Sequence, residues 1–232
     1  VRQNFSFYQN YLRALGRLPV DGVLADLGVS SHQFDVAERG FSFRFDAGLD
    51  MRMNRDTELT AFYVVMNYDE GDLLRVFREY GELKNAYSVA SRIVYRRKSE
   101  VIDTIEKLKS VLESLAPRGK FNTFYAKVFQ ALRIEVNDEM GVLEDFLKAT
   151  ENVLKPEGRL VVMSYHSLED RMVKNYMKRG DVNGKLEKDF FGNVMKPFDE
   201  VTRKPIVASE QELELNSRAR SAKLRIAERN GE

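Results

Sequence analysis

The sequence contains no cysteine and no tryptophan, and only two histidines among its 232 residues. The absence of cysteine excludes disulfide bonds and thiolate metal ligands. Since His32 and His166 are the only imidazoles, we expect no zinc centre and no other metal. No apolar run approaches the roughly 18 residues of a membrane-spanning helix, and the first residues do not have the pattern of a secretory signal. We therefore expect a cytoplasmic protein without membrane contact.

Neither sign of charge is in excess. The 37 basic and 36 acidic residues give a net charge of +1, so the chain as a whole does not attract nucleic acid electrostatically. Two segments are locally basic, one with Arg92, Arg96 and Arg97 and one with Arg218 and Arg220. On charge alone, each segment is either a solvated face or a phosphate-binding face.

Apolar segments bounded by polar and turn residues predict the strands of an α/β fold. The first covers residues 22–26, and the second covers 159–164 after a helix and a Pro-Gly turn. Residues 205–209 and 222–227 predict further strands, and the alternating pattern of 222–227 is typical of an edge or antiparallel strand. A helix, a turn and a strand in that order form half of a parallel α/β unit.

Helical spacing without any strand predicts a small helical module over residues 50–120. Its expected helix caps are Thr57, either Asp69 or Asp72, and Thr104. Helical spacing continues after residue 120 with a break near residue 137.

A last helix is predicted directly after the second strand. Ser167 is its expected cap, and Glu169 and Asp170 lie in its first turn, where acidic side chains favour the helix dipole.

Polar clusters follow both of the first two predicted strands, as residues 26–33 and 164–171. Ligands of open α/β sheets bind at the carboxyl ends of the strands. If the two strands are neighbours, both clusters face one crevice. A carboxylate, hydroxyl groups and an imidazole in a crevice suit several reactions, so the residue types alone do not choose among them.

Four segments, in this order along the chain, closely resemble motifs of the bacterial small-subunit ribosomal RNA cytosine-N4 methyltransferase family. They read DLGVSSHQFDVAERGFSFRFDAGLDMRMN (26–54), FQALRIEVNDE (129–139), SYHSLEDRMVK (164–174) and NSRARSAKLRIAER (216–229). The resemblance implies a class I, Rossmann-like methyltransferase core at residues 1–49 and 121–232, with an inserted all-helical domain at 50–120.

The same resemblance implies an enzyme that uses S-adenosyl-L-methionine to methylate the N4 amino group of a cytidine. The implied partner is small-subunit ribosomal RNA, either free or in the assembled subunit. Family members begin with a strand and a glycine-rich loop that hold the cofactor, whereas this sequence begins with Val1, close to the family's third strand. We therefore expect an amino-terminally incomplete core with an unpaired edge on its first strand, inactive by itself. The alternative is a non-catalytic RNA-binding remnant or fragment of such an enzyme.

The resemblance places Phe5, Asp26 and Gln33 at cofactor contacts. Phe5 either presents its ring to the adenine or fills the core. An acid that ends an apolar strand is costly unless it is paired or functional, and Asp26 is our candidate catalytic residue. A carboxylate that accepts hydrogen bonds from the N4 amino group would localise the nitrogen lone pair. The competing role for Asp26 is to position the cofactor.

Eight further residues are the expected contacts with the RNA substrate. They are Ser164, His166, Ser167, Arg92, Arg96, Arg97, Arg218 and Arg220. His166 has an alternative role as a core or helix-capping residue, and Ser167 has an alternative role as a helix cap. Residues 29–54 show no helical or strand periodicity and predict a long loop. Its Phe41, Phe43 and Phe45 either stack on splayed bases of RNA or pack against the core and so pin the loop to it.

Overall fold

The structure, a computed structural model, describes residues 4–231 with the exception of the side chain at position 31. It is a mixed α/β structure, which confirms the predicted combination of helices and a sheet. The strands of the described part are β1 (Val20–Asp26), β2 (Leu154–Ser164), β3 (Phe198–Glu200), β4 (Ile206–Val207) and β5 (Lys223–Arg229). No helix among the described residues is both long enough and apolar enough to cross a membrane.

Ten α-helices lie in the described part of the chain. They are α1 (Tyr8–Ala14), α2 (Ser31–Asp35), α3 (Ala61–Asn67), α4 (Glu70–Glu79), α5 (Ala86–Arg96), α6 (Ile105–Leu112), α7 (Phe121–Asn137), α8 (Glu139–Val153), α9 (Ser167–Arg179) and α10 (Glu210–Leu215). The predicted break near residue 137 is confirmed, because Asp138 adopts the left-handed conformation between α7 and α8.

The five strands form one sheet in the order β1, β2, β5, β3, with β4 also paired to β5. β1 and β2 are parallel, and all pairings of β5 are antiparallel. The two strands that carry the polar clusters are therefore neighbours with their carboxyl ends at one edge of the sheet. Within residues 4–231, β1 is paired only with β2, and Leu24 in its centre is 72% exposed.

β2 begins earlier than the predicted strand because the Pro-Gly turn lies inside it as an irregularity. Leu154 pairs with Val20 before the turn, and Arg159 pairs with Gly22 after it. A Cβ atom at Gly158 would lie 2.8 Å from the backbone oxygen three residues earlier. Only glycine fits this close backbone approach, so the turn can protrude without ending the pairing of the two strands.

The chain divides into two compact units. One comprises Val1–Gly28 together with Met140–Glu232, and the other comprises Val29–Glu139. The boundaries of these units come from contacts within the structure, and they do not test the domains predicted from helical spacing and from the family resemblance. The domain boundaries at 49/50 and 120/121 therefore remain a prediction.

The first unit is built on the sheet together with α8 and α9. Leu147 of α8, Leu160 of β2, Phe198 of β3 and Ala227 of β5 have no exposed surface and belong to one apolar cluster. Val173 of α9 joins the same cluster. This core holds the amino-terminal end of α9 against the sheet.

The second unit has a helical core. Residues spaced three or four apart on α4 to α7 are fully buried, including Phe77, Ile93, Leu108 and Leu132. This spacing is the predicted amphipathic pattern.

The long loop before this core is pinned to it by aromatic rings. Phe41 is buried, and the ring centroid of Phe43 lies 5.7 Å from that of Phe129. Of the two roles left open for these rings, pinning fits Phe41 and Phe43, while Phe45 is half exposed.

The helix caps confirm part of the sequence prediction and correct the rest. Asp69 and Thr104 cap α4 and α6 by accepting hydrogen bonds from backbone N–H groups of the first turn. Thr57 is not a cap, since Thr60 accepts from the N–H of Tyr63 and starts α3 there. Thr57 and Thr60 stand close together in the sequence, and the helix begins at the buried Ala61, directly after Thr60.

Ser167 is also not a cap. It is the first helical residue of α9, and His166 occupies the cap position with an extended backbone. Serine is a much commoner helix cap than histidine, which is why the sequence favoured the wrong residue.

Candidate active site at the carboxyl ends of two parallel strands

Asp26 and Tyr165 meet where β1 and β2 end. The Tyr165 hydroxyl donates a hydrogen bond of 2.8 Å to Oδ1 of Asp26. The two strands stay together past their ends, because the N–H of Leu27 donates to the carbonyl of Met163 at 3.0 Å. Oδ2 of Asp26 accepts no hydrogen bond from the residues that the structure describes, so one oxygen is oriented and the other is open to a ligand.

The argument that Asp26 is a costly buried acid is wrong, because its side chain is exposed. Its candidacy rests instead on its place at the strand end and on its tyrosine partner. Partial burial, together with the hydrogen bond and the charge of Asp26, raises the pKa of Tyr165 to about 12. The phenol therefore remains protonated at neutral pH and continues to donate its hydrogen bond.

The loop between β2 and α9 is held by a reciprocal cap. Glu169 is buried, and its Oε2 accepts from the N–H groups of Tyr165 (2.9 Å) and His166 (3.3 Å). Nδ1 of His166 accepts in return from the N–H of Glu169 at 3.4 Å. His166 thus performs the capping role that the sequence left open, and its contact with substrate remains a prediction. The cap holds the backbone of Tyr165, and the hydrogen bond to Asp26 holds its hydroxyl.

A buried ion pair joins the start of α9 to β5. The carboxylate of Asp170 accepts from Nε of Arg225 at 2.7 Å and from Nζ of Lys223 at 3.1 Å. Burial raises the pKa of Asp170, but the hydrogen bonds and charges of Arg225 and Lys223 outweigh burial and hold the pKa below its usual value. Ser164 is also buried, and its hydroxyl donates a hydrogen bond to the carbonyl of Lys223. To contact the base as predicted, this hydroxyl would have to bond to the base as well as to Lys223.

Two exposed arginines lie at the same end of the sheet. Arg218 and Arg220 belong to a 3-10 turn, Ser217–Ser221, directly before β5. The first residue of β5, Lys223, pairs with Ser164 at the end of β2. The strand register therefore puts the turn that carries these arginines at the same end of the sheet as the polar cluster after β2. Their contact with RNA remains a prediction.

Phe5 and Gln33 make contacts that leave their predicted cofactor roles untested. The Phe5 ring packs edge to face on Phe146 with centroids 5.4 Å apart and is 43% exposed. Oε1 of Gln33 accepts from the N–H of Ser30 at 2.9 Å, within the reciprocal cap of α2. Each residue keeps some surface for a ligand, and the role of each remains a prediction.

Arg92 and Arg96 lie on α5, and Arg97 directly follows it. Each of the three has a hydrogen-bond partner within the protein, so they do not form a face of unpaired cations. Arg97 donates to the carbonyl of Val65 at 2.9 Å, and Arg96 pairs with Glu100 at 2.6 Å. Arg92 donates to the hydroxyl of Ser114. Contact of these arginines with RNA remains a prediction, and Arg97 has a structural role as well.

Replacing both Arg92 and Arg96 by glutamine is expected to weaken RNA binding. If each arginine neutralises one phosphate of a single strand, the slope of log affinity against log salt concentration should fall by about 1.4. Arg97 stays, because it holds the end of α3. The matched control replaces Lys107 and Lys109, two ion-paired lysines of α6. Equal affinity and slope before and after the arginine changes would mean that this face is only solvated.

Sequence reasoning missed Tyr165 as the partner of Asp26. The two residues are 139 positions apart, and only the adjacency of two parallel strands brings them together. The available signal was that each stands at the end of its predicted strand, so adjacent strands would place them side by side.

The mixed sheet and the flanking helices make this an α/β protein. Proteins of this class bind their ligands at the carboxyl ends of adjacent parallel strands, where the carboxylate, the tyrosine and the two arginines lie here.

The profile of the MraW methylase family matches residues 1–230, and the chain belongs to that family. The family membership predicted from the four motifs is thereby confirmed. Relatives named ribosomal RNA small subunit methyltransferase H share about half of their residues with it. The protein of Flavobacterium psychrophilum is 54% identical over 99% of this chain and 78% of its own length. That of Bacteroides thetaiotaomicron is 56% identical over 99% and 75%, and that of Christiangramia forsetii is 51% identical over 98% and 75%.

Proposed function

We propose that this protein transfers the methyl group of S-adenosyl-L-methionine to the N4 amino group of a cytidine in small-subunit ribosomal RNA. The observation that carries the proposal is the oriented, exposed carboxylate of Asp26 at the carboxyl ends of β1 and β2. Family membership and the names of the relatives support the reaction class and the RNA substrate. The proposed architecture is a class I, Rossmann-like core with residues 50–120 as a helical insertion.

Asp26, Phe5 and Gln33, each considered by itself, have groups that fit parts of this cofactor. The open Oδ2 of Asp26 suits either a hydroxyl or amino donor or the positive sulfonium. The exposed part of the Phe5 ring suits a flat adenine, and Gln33 retains a side-chain nitrogen that can donate. When bound, the cofactor supplies a methyl group activated by a positively charged sulfur.

The residues of this chain would act on the nucleophile. The lone pair of the N4 amino group is delocalised into the cytosine ring, which makes the nitrogen a weak nucleophile. Oδ2 of Asp26 would accept a hydrogen bond from this amino group and localise the lone pair, and it would then receive the proton that the nitrogen must lose. Tyr165 holds Oδ1, so the carboxylate would meet the amino group in one orientation.

Exposed cations at the same end of the sheet would hold the RNA. Arg218 and Arg220 are suited to phosphate because guanidinium groups donate in a planar fork. Ser167, exposed in the first turn of α9, would contact the base or its ribose.

The direct test is methylation with isotope-labelled S-adenosyl-L-methionine. Small-subunit RNA and assembled subunits are offered separately, and the nucleosides are identified after digestion. Label in N4-methylcytidine supports the proposal, whereas label on a carbon atom of the ring or on another base contradicts it. The assay is made on this chain extended to the length of its relatives. RNA binding without any transfer by that longer protein would support the alternative of a non-catalytic RNA-binding remnant.

Replacing Tyr165 by phenylalanine is expected to slow methyl transfer about tenfold. The change removes the donor to Oδ1 and lets the Asp26 carboxylate rotate, and loss of one hydrogen bond to an exposed charge corresponds to roughly 1.4 kcal/mol. The rate at saturating substrates should fall while the Michaelis constant for RNA changes little. Tyr68→Phe is the matched control, because it removes a tyrosine–carboxylate hydrogen bond to Glu135 in the other unit. Equal rates for Tyr165→Phe and the unmodified protein would rule out this positioning role.

A further inference from the structure

Helix α9 carries a row of polar and basic side chains on its exposed face. Ser167, Arg171, Lys174 and Lys178 follow one another at intervals of four, three and four residues, and all four are exposed. This spacing places them on one side of the helix. Lys174 and Lys178 make no ion pair with any residue that the structure describes. We call these four residues the basic row.

The opposite side of α9 is anchored in the core. Val173, Tyr176 and Met177 are buried there, so the helix cannot turn its basic row inward. The 13 residues of α9 span about 20 Å at a rise of 1.5 Å per residue. The basic row therefore extends from the strand-end site at Ser167 along most of the helix.

A short hairpin, residues 187–195, follows α9 and ends in two exposed phenylalanines. The N–H of Asp189 donates to the carbonyl of Asn193, and the N–H of Met195 donates to that of Glu187, both at 2.9 Å. Phe190 and Phe191 at the tip are 98% and 84% exposed, with ring centroids 5.7 Å apart. We call this segment the aromatic hairpin.

The tip of the aromatic hairpin is locked by one carboxylate. Oδ1 of Asp189 accepts from the N–H groups of Phe191 (2.9 Å) and Asn193 (2.8 Å), and Oδ2 accepts from the side-chain amide of Asn193 at 3.0 Å. These bonds hold the pKa of Asp189 below its usual value. The two rings are thus presented to solvent by an ordered turn.

The hairpin is attached to the end of α9. Gly180 ends the helix with φ +73°, and a Cβ atom there would lie 2.9 Å from the carbonyl oxygen of Met195. The side-chain amide of Asn175 donates to the carbonyl of Val182 at 3.3 Å, and Arg179 donates to the carbonyl of Gly184. The aromatic hairpin therefore starts from the helix end that lies farthest from the strand-end site.

We propose that the basic row and the aromatic hairpin together bind a single strand of RNA on the approach to the target cytidine. Cations spaced along a helix suit a row of phosphates, and exposed rings suit unpaired bases, because every base has a flat face on which a ring can stack. The exposed face of α9 has no apolar residue, so it does not suit insertion into a lipid surface, which requires an apolar face. This inference rests on the proposed function, since it assigns the path of the RNA to the same site.

The test compares two double variants with the unmodified protein in binding an unstructured, fluorescently labelled oligoribonucleotide over a range of salt concentrations. Lys174→Gln with Lys178→Gln should weaken binding and lower the salt slope by about 1.4, since two phosphate contacts are lost. Phe190→Ser with Phe191→Ser should weaken binding by roughly 5- to 150-fold for each stacked base and leave the slope unchanged. Unchanged affinity in either variant would overturn the corresponding half of the proposal.

Two controls separate RNA binding from general charge and from lipid. Arg203→Gln with Lys204→Gln removes two exposed cations from the same unit, and an equal loss of affinity there would overturn the special role of the basic row. Binding to vesicles with anionic lipid is compared between the unmodified protein and the variant with Phe190→Ser and Phe191→Ser. If the substitutions abolish vesicle binding and spare RNA binding, the hairpin contacts lipid and the proposal fails.

Methyl transfer by the unmodified protein, extended to the length of its relatives, is measured separately. If the protein transfers methyl groups while all variants bind RNA normally, only this inference fails. If it binds RNA through these residues but transfers nothing, only the proposed function fails.

Discussion

Replacement of Asp26 by asparagine is expected to slow methyl transfer by about a hundred- to ten-thousandfold, the range for loss of a group that moves a proton or stabilises charge. Asparagine keeps the shape and one acceptor oxygen but removes the negative charge. The measurement is a single-turnover rate at saturating cofactor, paired with cofactor affinity by calorimetry. It is best made on this chain extended to the length of its relatives, which are longer than the chain.

The two roles considered for Asp26 give opposite results in these measurements. If the carboxylate polarises the N4 amino group, the rate falls while cofactor affinity changes little. If it only positions the cofactor, affinity falls while the rate at saturation is retained, and the catalytic role is refuted. Asp21→Asn is the control, because Asp21 is an exposed acid at the other end of β1 whose partner is Lys155. It should leave both quantities unchanged.

The sheet was predictable where a strand has an apolar run of its own. The apolar runs at 22–26 and 159–164 are the carboxyl-terminal parts of β1 and β2, and the alternating segment at 222–227 lies mostly in the antiparallel β5. The pairing of Leu154 with Val20 was not predictable, because a proline and a glycine separate it from the rest of β2. Sequence patterns describe local conformation, and this pairing depends on a neighbour 134 residues away.

The site was predictable in position but not in chemistry. The end of β1 was correctly expected to lie beside the polar residues that follow β2, since both strands belong to one parallel pair. The energetic cost argued for Asp26 does not apply, because its side chain is exposed. Exposure depends on what covers the strand end, and no local sequence pattern reports that. The hydrogen bond from Tyr165 to Asp26 was not predictable either, because it joins two residues 139 positions apart.

The partners of the acid at the start of α9 were not predictable, because they lie 53 and 55 residues away on another strand. Asp170 pairs with Arg225 and Lys223, two residues of a motif in which the sequence drew attention to other arginines. Basic residues of one short motif thus have different environments. Arg225 is buried in the sheet, whereas Arg218 and Arg220 are exposed to solvent. Strand alternation explains the burial of Arg225, but only its pairing with Asp170 makes that burial tolerable.

Replacement of Asp170 by alanine is expected to lower the free energy of unfolding by about 3 to 5 kcal/mol, because it leaves the buried guanidinium of Arg225 without its counter-charge. The measurement is urea unfolding at neutral pH, read from the shift of the midpoint at constant slope. Replacing Arg225 by methionine in the same protein should recover part of the loss, since the unpaired charge is then gone.

The same ion pair predicts how stability changes with acid. The pKa of Asp170 is lower in the folded protein than its ordinary value of about 3.9. Its stabilising contribution is therefore complete above that ordinary value and is lost as the pH falls through the lower, folded pKa. Asp170→Ala should show a weaker fall in stability over this acid range, whereas Asp21→Ala, which removes an exposed partner of Lys155, should keep the full dependence on Asp170. If the two variants have the same stability and the same acid dependence, the pair does not hold α9 to β5.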